Sequence, residues 1–389
     1  MLTPDFVRIV VAHTLASLGW SSMLLLPVYL DHIGANRARI GEIMGSAAIA
    51  GLLVRPLVGI GLDRWGRKPV IAVGGCLQAL AMVLVLWIDR PDGIAWASRV
   101  AFGLGAAAAF TGYFTLVTDL VPPARRTEGI ALFGISGLLP LWINPLLTRV
   151  GVSAQEVRWV VPIAAAAVLC SLWPLSRIRE RRRTAADALP PLATLVRALG
   201  RRPLWSAWLA TFAFAALVVL FQAFATVTAA SRGLPIPTDV WLTYGGGAVA
   251  IRLVGAKLPD RVGTHNLVAP AMAVLGFGAL ALAAAESHSG LLLAGLLGGL
   301  GHGLGFPVLT SQVASRCPAA VRGSALAVFT GLWDVAFLLA PALLGRLADA
   351  HSDAAMLAAA ASLAALALLC WAALEARYGA RAALPLSAS

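Results

Sequence analysis

The sequence predicts an all-α integral membrane protein of twelve transmembrane helices, arranged as two six-helix halves that are parallel repeats of one another. Three observations lead there. Hydrophobic residues make up 59% of the 389 positions and charged residues only 12%, where a soluble domain carries about a quarter charged residues. One soluble core cannot hide that much apolar surface, so the solvent must be lipid. Apolar runs of about 19 to 24 residues, enough to cross a hydrocarbon core of about 30 Å as helix, recur along the chain. The second half, finally, repeats the first.

Twelve such runs can be read. Six lie at Val10–Tyr29, Ile40–Ile60, Val70–Ile88, Ala95–Val117, Gly129–Leu147 and Val160–Leu175, and six more at Leu204–Thr228, Val240–Leu258, Leu267–Ala285, Leu291–Val313, Gly323–Leu344 and Ala354–Leu374. The fifth and eighth carry the weakest apolar signal. A strand barrel is excluded, because its spans are about ten residues long and alternate with period two. The first run has neither a basic leader nor a small-residue cleavage site, so a retained helix is expected rather than a signal peptide. Cys76, Cys170, Cys317 and Cys370 stand singly, without metal-ligand spacing. Isolated thiols of this kind imply packing, with no disulfide framework and no zinc site.

The formal charge of +12 is unevenly placed. Assigning the loops alternately puts most of the 30 basic residues on the face that holds both termini, and leaves Arg55, Arg99 and Arg252 inside spans. By the positive-inside bias that face is cytoplasmic, in a bacterial-type inner membrane, and the charge points to lipid headgroups and not to nucleic acid. The basic stretch at 177–203, broken by Pro190 and Pro191, separates an N-terminal bundle (1–176) from a C-terminal one (204–389). Its arginines can rest on anionic lipid.

Sliding the second half over the first pairs Gly59 with Gly255, Pro122 with Pro318, Arg126 with Arg322, Phe133 with Phe329 and Pro145 with Pro341. One further step pairs Arg55 with Arg252, Asp63 with Asp260, Arg64 with Arg261 and Gly66 with Gly263. Six spans per half give both copies the same orientation in the membrane.

Between the second and third runs stands Gly59-x-x-x-Asp63-Arg64-x-Gly66-Arg67-Lys68, which resembles the signature loop of the major facilitator superfamily; its weaker copy lies between the eighth and ninth. Arg99-x-x-x-Gly103-x-x-x-Ala107 in the fourth run is similar to the motif of that family's twelve-helix proton-antiporter branch. The resemblance spans nearly the whole chain and departs in two places. The fifth run reads GISGLLPLWINP where the branch usually has Gly-Pro-x-x-Gly, and the first run carries His13 but no carboxylate between Arg8 and Asp31. Both departures point away from polyspecific drug export, while the pair RPLVGIGLDRWGRK and IRLVGAKLPDRVG resembles a group of small-metabolite exporters.

The resemblance implies a secondary transporter working by alternating access, with export of a small organic solute in exchange for protons as the first expectation. Uptake with protons and uncoupled diffusion remain open, as does a receptor or lipid-handling protein that has kept the fold without transporting. No Walker loop, nucleophile elbow, paired catalytic acids or zinc motif occurs, so neither an enzyme nor an ATP-driven pump is expected. No cofactor is implied. The expected partners are a small molecule, protons and membrane lipid, and the chain is expected to work as a monomer.

In the opening loop Gly59, Gly61 and Gly66 are expected to make a five-residue turn. Asp63 can face a neighbouring helix N-terminus, and Arg67 can reach an acid at the end of the fourth run, for which Asp119 is the candidate. What the resemblance implies is a cytoplasmic gate, built from Gly59, Asp63, Arg64, Gly66, Arg67, Asp119 and Arg126 and, in the copy, from Asp260, Arg261 and Gly263. The plainer alternative, that these charges set topology and solvate a loop, accounts well for Lys68, Arg125 and the arginines at 181–183.

Charge at bilayer depth costs about 2.5–3.5 kcal/mol or more, so a mid-span ionisable residue faces a partner or a wet cavity. Arg99 is a candidate for binding an anionic group of the substrate, snorkelling being the alternative. Asp334 stands alone as a carboxylate well inside an apolar run of the second half, which makes it a candidate proton carrier; a structural hydrogen bond is the alternative. His302 and His13 are of the residue type that titrates near neutral pH, and packing is their alternative. Arg55 and Arg252 each precede a paired aspartate by about two helical turns and read as a structural brace. Tyr113, Asn144, Trp208, Gln222 and Tyr244 are polar or aromatic candidates for lining a substrate cavity. The glycines of GGLGHGLG (298–305) read as close helix packing, since no strand precedes them to make a dinucleotide fold.

Overall fold

A computed structural model describes residues 3–121, 126–180, 197–255, 258–317 and 322–379; the side chains of Asp63, Arg126, Asp260 and Arg261 lie outside the described residues. Among the described residues the regular elements are helices, with no strand. α1 (Pro4–Ser22) and α2 (Leu26–His32) are joined by one tight turn into a single span, followed by α3 (Arg37–Arg64), α4 (Arg67–Leu84) and α5 (Gly93–Leu120). α6 (Arg126–Ile135), α7 (Ile143–Arg149), α8 (Val157–Cys170) and α9 (Leu172–Ser176) complete the first half. The second half holds α10 (Arg202–Ser231), α11 (Val240–Val254), α12 (Leu258–Val262), α13 (Thr264–Ala283), α14 (His288–Ser315), α15 (Arg322–Ala350) and α16 (Asp353–Tyr378). The helices run back and forth between two faces. One, the terminal face, holds the start of α1 and the end of α16; the other, the far face, holds the turns around 33–36, 232–239 and 351–352.

Local chemistry starts these helices where they start. Thr3 Oγ1 accepts from Phe6 N at 3.2 Å ahead of Pro4, and Asp5 sits in the first turn of α1. Asn36 Oδ1 accepts from Arg39 N at 2.9 Å and Ser352 Oγ from Ala355 N at 3.0 Å, capping α3 and α16. Each cap satisfies an amide that the helix itself leaves without a partner. Ten helical stretches among the described residues are long and apolar enough to cross a membrane. Outward-facing side chains are apolar where water would demand otherwise: Leu53, Leu57, Ile163, Trp173, Val254 and Leu369 are all exposed.

Two of the twelve expected runs differ from an uninterrupted span. The fifth is broken into α6, a 3-10 turn at Leu139–Trp142 and α7, because Pro140 and Pro145 lack the amide that would continue the α ladder. The eighth is α11 alone, fifteen residues, or about 22 Å of helix. These two irregular segments meet, with Trp142 Nε1 donating to Leu242 O at 3.0 Å. A second difference concerns the opening loop. α3 continues to Arg64, so Gly59 and Gly61 are helical and the connection to α4 is only Trp65 and Gly66. Of the three glycines only Gly66 needs its lack of a side chain for backbone reasons, with φ at 93°, and Gly263 repeats this in the copy with φ at 86°.

α3 and α15 form the closest seam between the halves. A Cβ on Gly45 would lie 3.1 Å from the carbonyls of Phe337 and Leu338, and one on Gly41 would overlap the carbonyl of Pro341. Pro341 leaves Phe337 O without its helical donor, and only a glycine opposite lets the two backbones approach this far.

Gly66→Ala would force an L side chain into left-handed backbone and bring Cβ within 2.8 Å of Glu180 Oε1, costing about 1–2 kcal/mol from the backbone alone. Gly59→Ala, in a helix with nothing within 4 Å, gains about 0.5–1 kcal/mol. Thermal unfolding in detergent should therefore give a lower midpoint for the first variant and an equal or higher one for the second; a loss at Gly59 would place a contact there that the fold does not contain.

Candidate functional site

A cavity of about 290 Å³ lies between α1, α3, α5 and α6 on one side and α10, α11, α14 and α15 on the other. Its wall is mostly apolar and rich in aromatic rings, with Trp20, Phe102, Tyr113, Trp241, Phe306 and Trp333 among the lining residues. Into this wall are set Arg55, Arg99, Arg252 and Asp334, together with His13, His302 and Gln222. Four-residue spacing puts Thr330 and Asp334 on one face of α15, and the antiparallel run of α3 brings Arg55 to them. Arg55 Nε donates to Asp334, Nη1 to Thr330 Oγ1 at 3.1 Å and Nη2 to Thr330 O at 3.2 Å. This pair crosses between the halves in the body of the cavity.

The other two cations have no such partner. Arg99, only 4% exposed, donates from Nη2 to Met44 O at 3.2 Å and lies over the Phe102 ring at 5.0 Å. Its Nε, and Oε1 of the neighbouring Gln222, are buried without a hydrogen-bond partner. Arg252 donates from Nε to Gly303 O at 3.3 Å and reaches toward α6, where a Cβ on Gly134 would meet its Nη1 at 2.5 Å. No carboxylate among the described residues forms an ion pair with either. Arg55 and Arg252 occupy matching places in the repeat, yet one crosses to an acid and the other to bare backbone.

The two histidines line the cavity from opposite halves. His13 Nδ1 lies 2.7 Å from Ser136 Oγ and its ring packs on Tyr113 and Phe133. His302 Nδ1 lies 2.9 Å from the Tyr244 hydroxyl, ringed by Phe214, Phe306 and Trp333. Of the lining residues expected from sequence, Arg99, Tyr113, Gln222 and Tyr244 face the cavity. Asn144 and Trp208 do not: Asn144 is fully buried and donates to Ser21 O at 3.1 Å, and Trp208 Nε1 donates to Leu199 O at 3.1 Å toward the terminal face. In both the N–H donor is taken by a backbone carbonyl, which sequence alone does not display.

At the terminal face Arg67 Nε lies 2.9 Å from Asp119 Oδ2, joining α4 to α5 within the first half. Arg67 Nη1 also donates to Leu62 O at 3.2 Å, and the Glu180 carboxylate accepts from the main-chain amides of Arg67 and Lys68 at the N-terminus of α4. Arg64 is exposed. Asp63, Arg126, Asp260 and Arg261 cannot be added to this cluster, since their side chains fall outside the described residues.

The far face holds a set of cross-half bonds that sequence reasoning missed. Asp349 of α15 accepts from the amides of Arg37 at 2.9 Å and Ala38 at 2.7 Å, capping α3 from the other half. Arg37 also pairs with Asp353 at 3.3 Å, and Arg346 with Glu42 at 3.1 Å. On the other flank Asp239, buried at the foot of α11, takes Arg149 at 2.9 Å and lies 3.2 Å from His288 Nε2, while Thr238 donates to Thr148 at 2.7 Å. The turn that delivers Asp239 is strained at Ile236, whose φ is 48° between two prolines. A signal was present in the sequence: the far-face loops mix acids with arginines, where the terminal-face loops are mainly basic.

A lipid-facing helical bundle around an aromatic, charge-bearing cavity, bonded across one face, defines a multi-pass membrane transporter and not an enzyme. The chain belongs to the Major Facilitator Superfamily, whose family model matches residues 9–341 and 243–388. An uncharacterized MFS-type transporter of Salmonella typhimurium is 28% identical over 330 residues, covering 81% of this chain and 82% of its own. In fold the chain is similar to the nucleoside transporter NupG, with a TM-score of 0.72 at 14% identity over 96% of this chain and 99% of that one. It is also similar to the human organic anion transporter MFSD10, with a TM-score of 0.68 at 20% identity over 95% and 99%.

If the ionic bonds hold the far face shut, Asp239→Ala combined with Asp349→Ala should loosen it. A bulky, membrane-impermeant maleimide added on that side should label Trp20→Cys several-fold faster in the double variant than in its absence. Equal labelling would assign the closure to the glycine seam of α3 and α15 instead.

Proposed function

We propose that the protein carries a small organic anion across an inner membrane by alternating access, with protons as the coupling ion. The observation that carries this reading is the charge of the cavity: three arginines line it against one carboxylate, and that carboxylate is already held by Arg55. A desolvated cation without a counter-ion is costly, and a substrate anion offsets that cost at Arg99 and Arg252. The aromatic wall suits an apolar body behind the charged group. The organic anion transporter among the similar folds supports the class of cargo.

Arginine placement supports orientation. The terminal face carries Arg8, Arg67, Lys68, Arg177, Arg202, Arg316 and Arg377, and is assigned to the cytoplasm with both termini. The far-face bonds then close the outer side, which makes this an inward-facing arrangement. We assign the terminal-face gate to Gly59, Asp63, Arg64, Gly66, Arg67, Asp119 and Arg126 with Asp260, Arg261 and Gly263, closing when the far face opens. Asp334, His13 and His302 are the groups in the cavity through which a proton gradient can act, and one chain encloses the whole path.

Trp20, Trp241 and Trp333 line the cavity, so ligand entry is readable as quenching of intrinsic fluorescence in purified protein. Naphthalene-2-sulfonate should bind at least about tenfold more tightly than the neutral naphthalene-2-sulfonamide, a difference of about 1.4 kcal/mol. Arg99→Ala should erase most of that preference by weakening the sulfonate alone. Equal affinity of the wild type for both compounds would overturn the anionic reading.

A further inference from the structure

We infer that a substrate anion displaces the Asp334 carboxylate from Arg55, so that anion and proton enter the cavity together. The inference rests on the anionic reading above and adds the sign of the coupling.

The Arg55 guanidinium is held from two sides. Thr330 accepts from Nη1 and Nη2 through its hydroxyl and its carbonyl, while Asp334 takes Nε. Withdrawal of the carboxylate therefore leaves the cation anchored on Thr330, with its Nε edge free and facing the cavity. Arg55 and Asp334 side chains are 18% and 17% exposed, so both are reachable from the cavity and neither is bathed in water. Two acceptors, the substrate's anionic oxygen and Asp334, compete for one donor edge.

Among the described residues no second cation pairs with Asp334. α3 faces it with Arg55 alone, and α10 with no charged side chain, its nearest polar group in the cavity being Gln222. From α14 the ionisable group is His302, which is engaged with Tyr244, and α16 carries Asp353, Glu375 and Arg377 only toward its ends. Across the cavity, Arg99 and Tyr113 of α5 are turned to Met44 O and Ser171, Arg252 of α11 to Gly303 O, and His13 of α1 to Ser136. An acid displaced into this setting keeps a charge only at great cost and binds a proton instead. By linkage, whatever the anion does to proton affinity, the proton does to anion affinity. The two are therefore taken up together and released together, and transport of a monovalent anion is electroneutral. A proton gradient directed inward then drives uptake, which reverses the exchange expected from the family motif.

Naphthalene-2-sulfonate keeps its charge throughout pH 5.5–8, so any pH dependence of its binding belongs to the protein. Its affinity for the wild type should rise as pH falls, by up to about tenfold per unit for one linked proton. Adding it to protein in weakly buffered medium should raise the pH, since protons are taken up. Asp334→Asn should bind with wild-type acid-limb affinity at every pH and take up no protons; the wild-type proton measurement stands by itself if that variant does not fold. Binding that is independent of pH, or that tightens with rising pH and releases protons, overturns co-transport while leaving the anionic cargo intact. Failure of the sulfonate to bind at any pH overturns both.

Discussion

The cost of charge in hydrocarbon governs this molecule. With charged residues so few, each one below the surface has to be matched by a partner or a polar space. Terminal-face charges join α4 to α5 through Arg67 and Asp119. Far-face charges join the two halves. Between the faces a single ion pair among the described residues, Arg55 with Asp334, spans the divide, and two arginines are left facing a cavity. Packing of glycine backbones brings α3 and α15 together, but it is the need to match charge that decides which depths are bonded and which are free.

Much of the fold was legible in the chain itself. Long apolar runs, the duplicated glycines and the basic face needed only helix length and the bilayer's thickness to be read. Where the reading slipped, backbone chemistry was the cause. Pro140 and Pro145 break a run whose composition alone looks continuous, and α3 continues through Gly59 and Gly61 because packing tolerates helical glycine. The turn needs just one residue with positive φ, Gly66, and its counterpart Gly263 does the same in the repeat.

The candidate site was legible in part. Arg99, Asp334, His13 and His302 announced themselves as polar residues at unlikely depths, and all four line one cavity. Asn144 and Trp208 look equally promising in sequence, yet their hydrogen bonds go to Ser21 and Leu199 carbonyls. Which of several polar side chains is satisfied by backbone depends on rotation about helix axes, and no periodicity reports that. Far-face bonding was missed for another reason: its main donors include the amides of Arg37 and Ala38, which are invisible in any search for opposite charges. Repeat symmetry also misled at Arg55 and Arg252, which share a place in the pattern but not a partner.

Asp239 has a consequence for speed. Its Oδ2 takes Arg149 of the first half and lies near His288 of its own half, while Oδ1 is buried without a hydrogen-bond partner. Parting of the far face would take Arg149 from the acid but leave it His288, a neighbour that travels with it. A hinge built this way has a lower barrier than one whose every bond spans the dividing line. The left-handed backbone at Ile236, a few residues before, adds stored strain to the same corner, and together they make this flank of the far face the easier one to part.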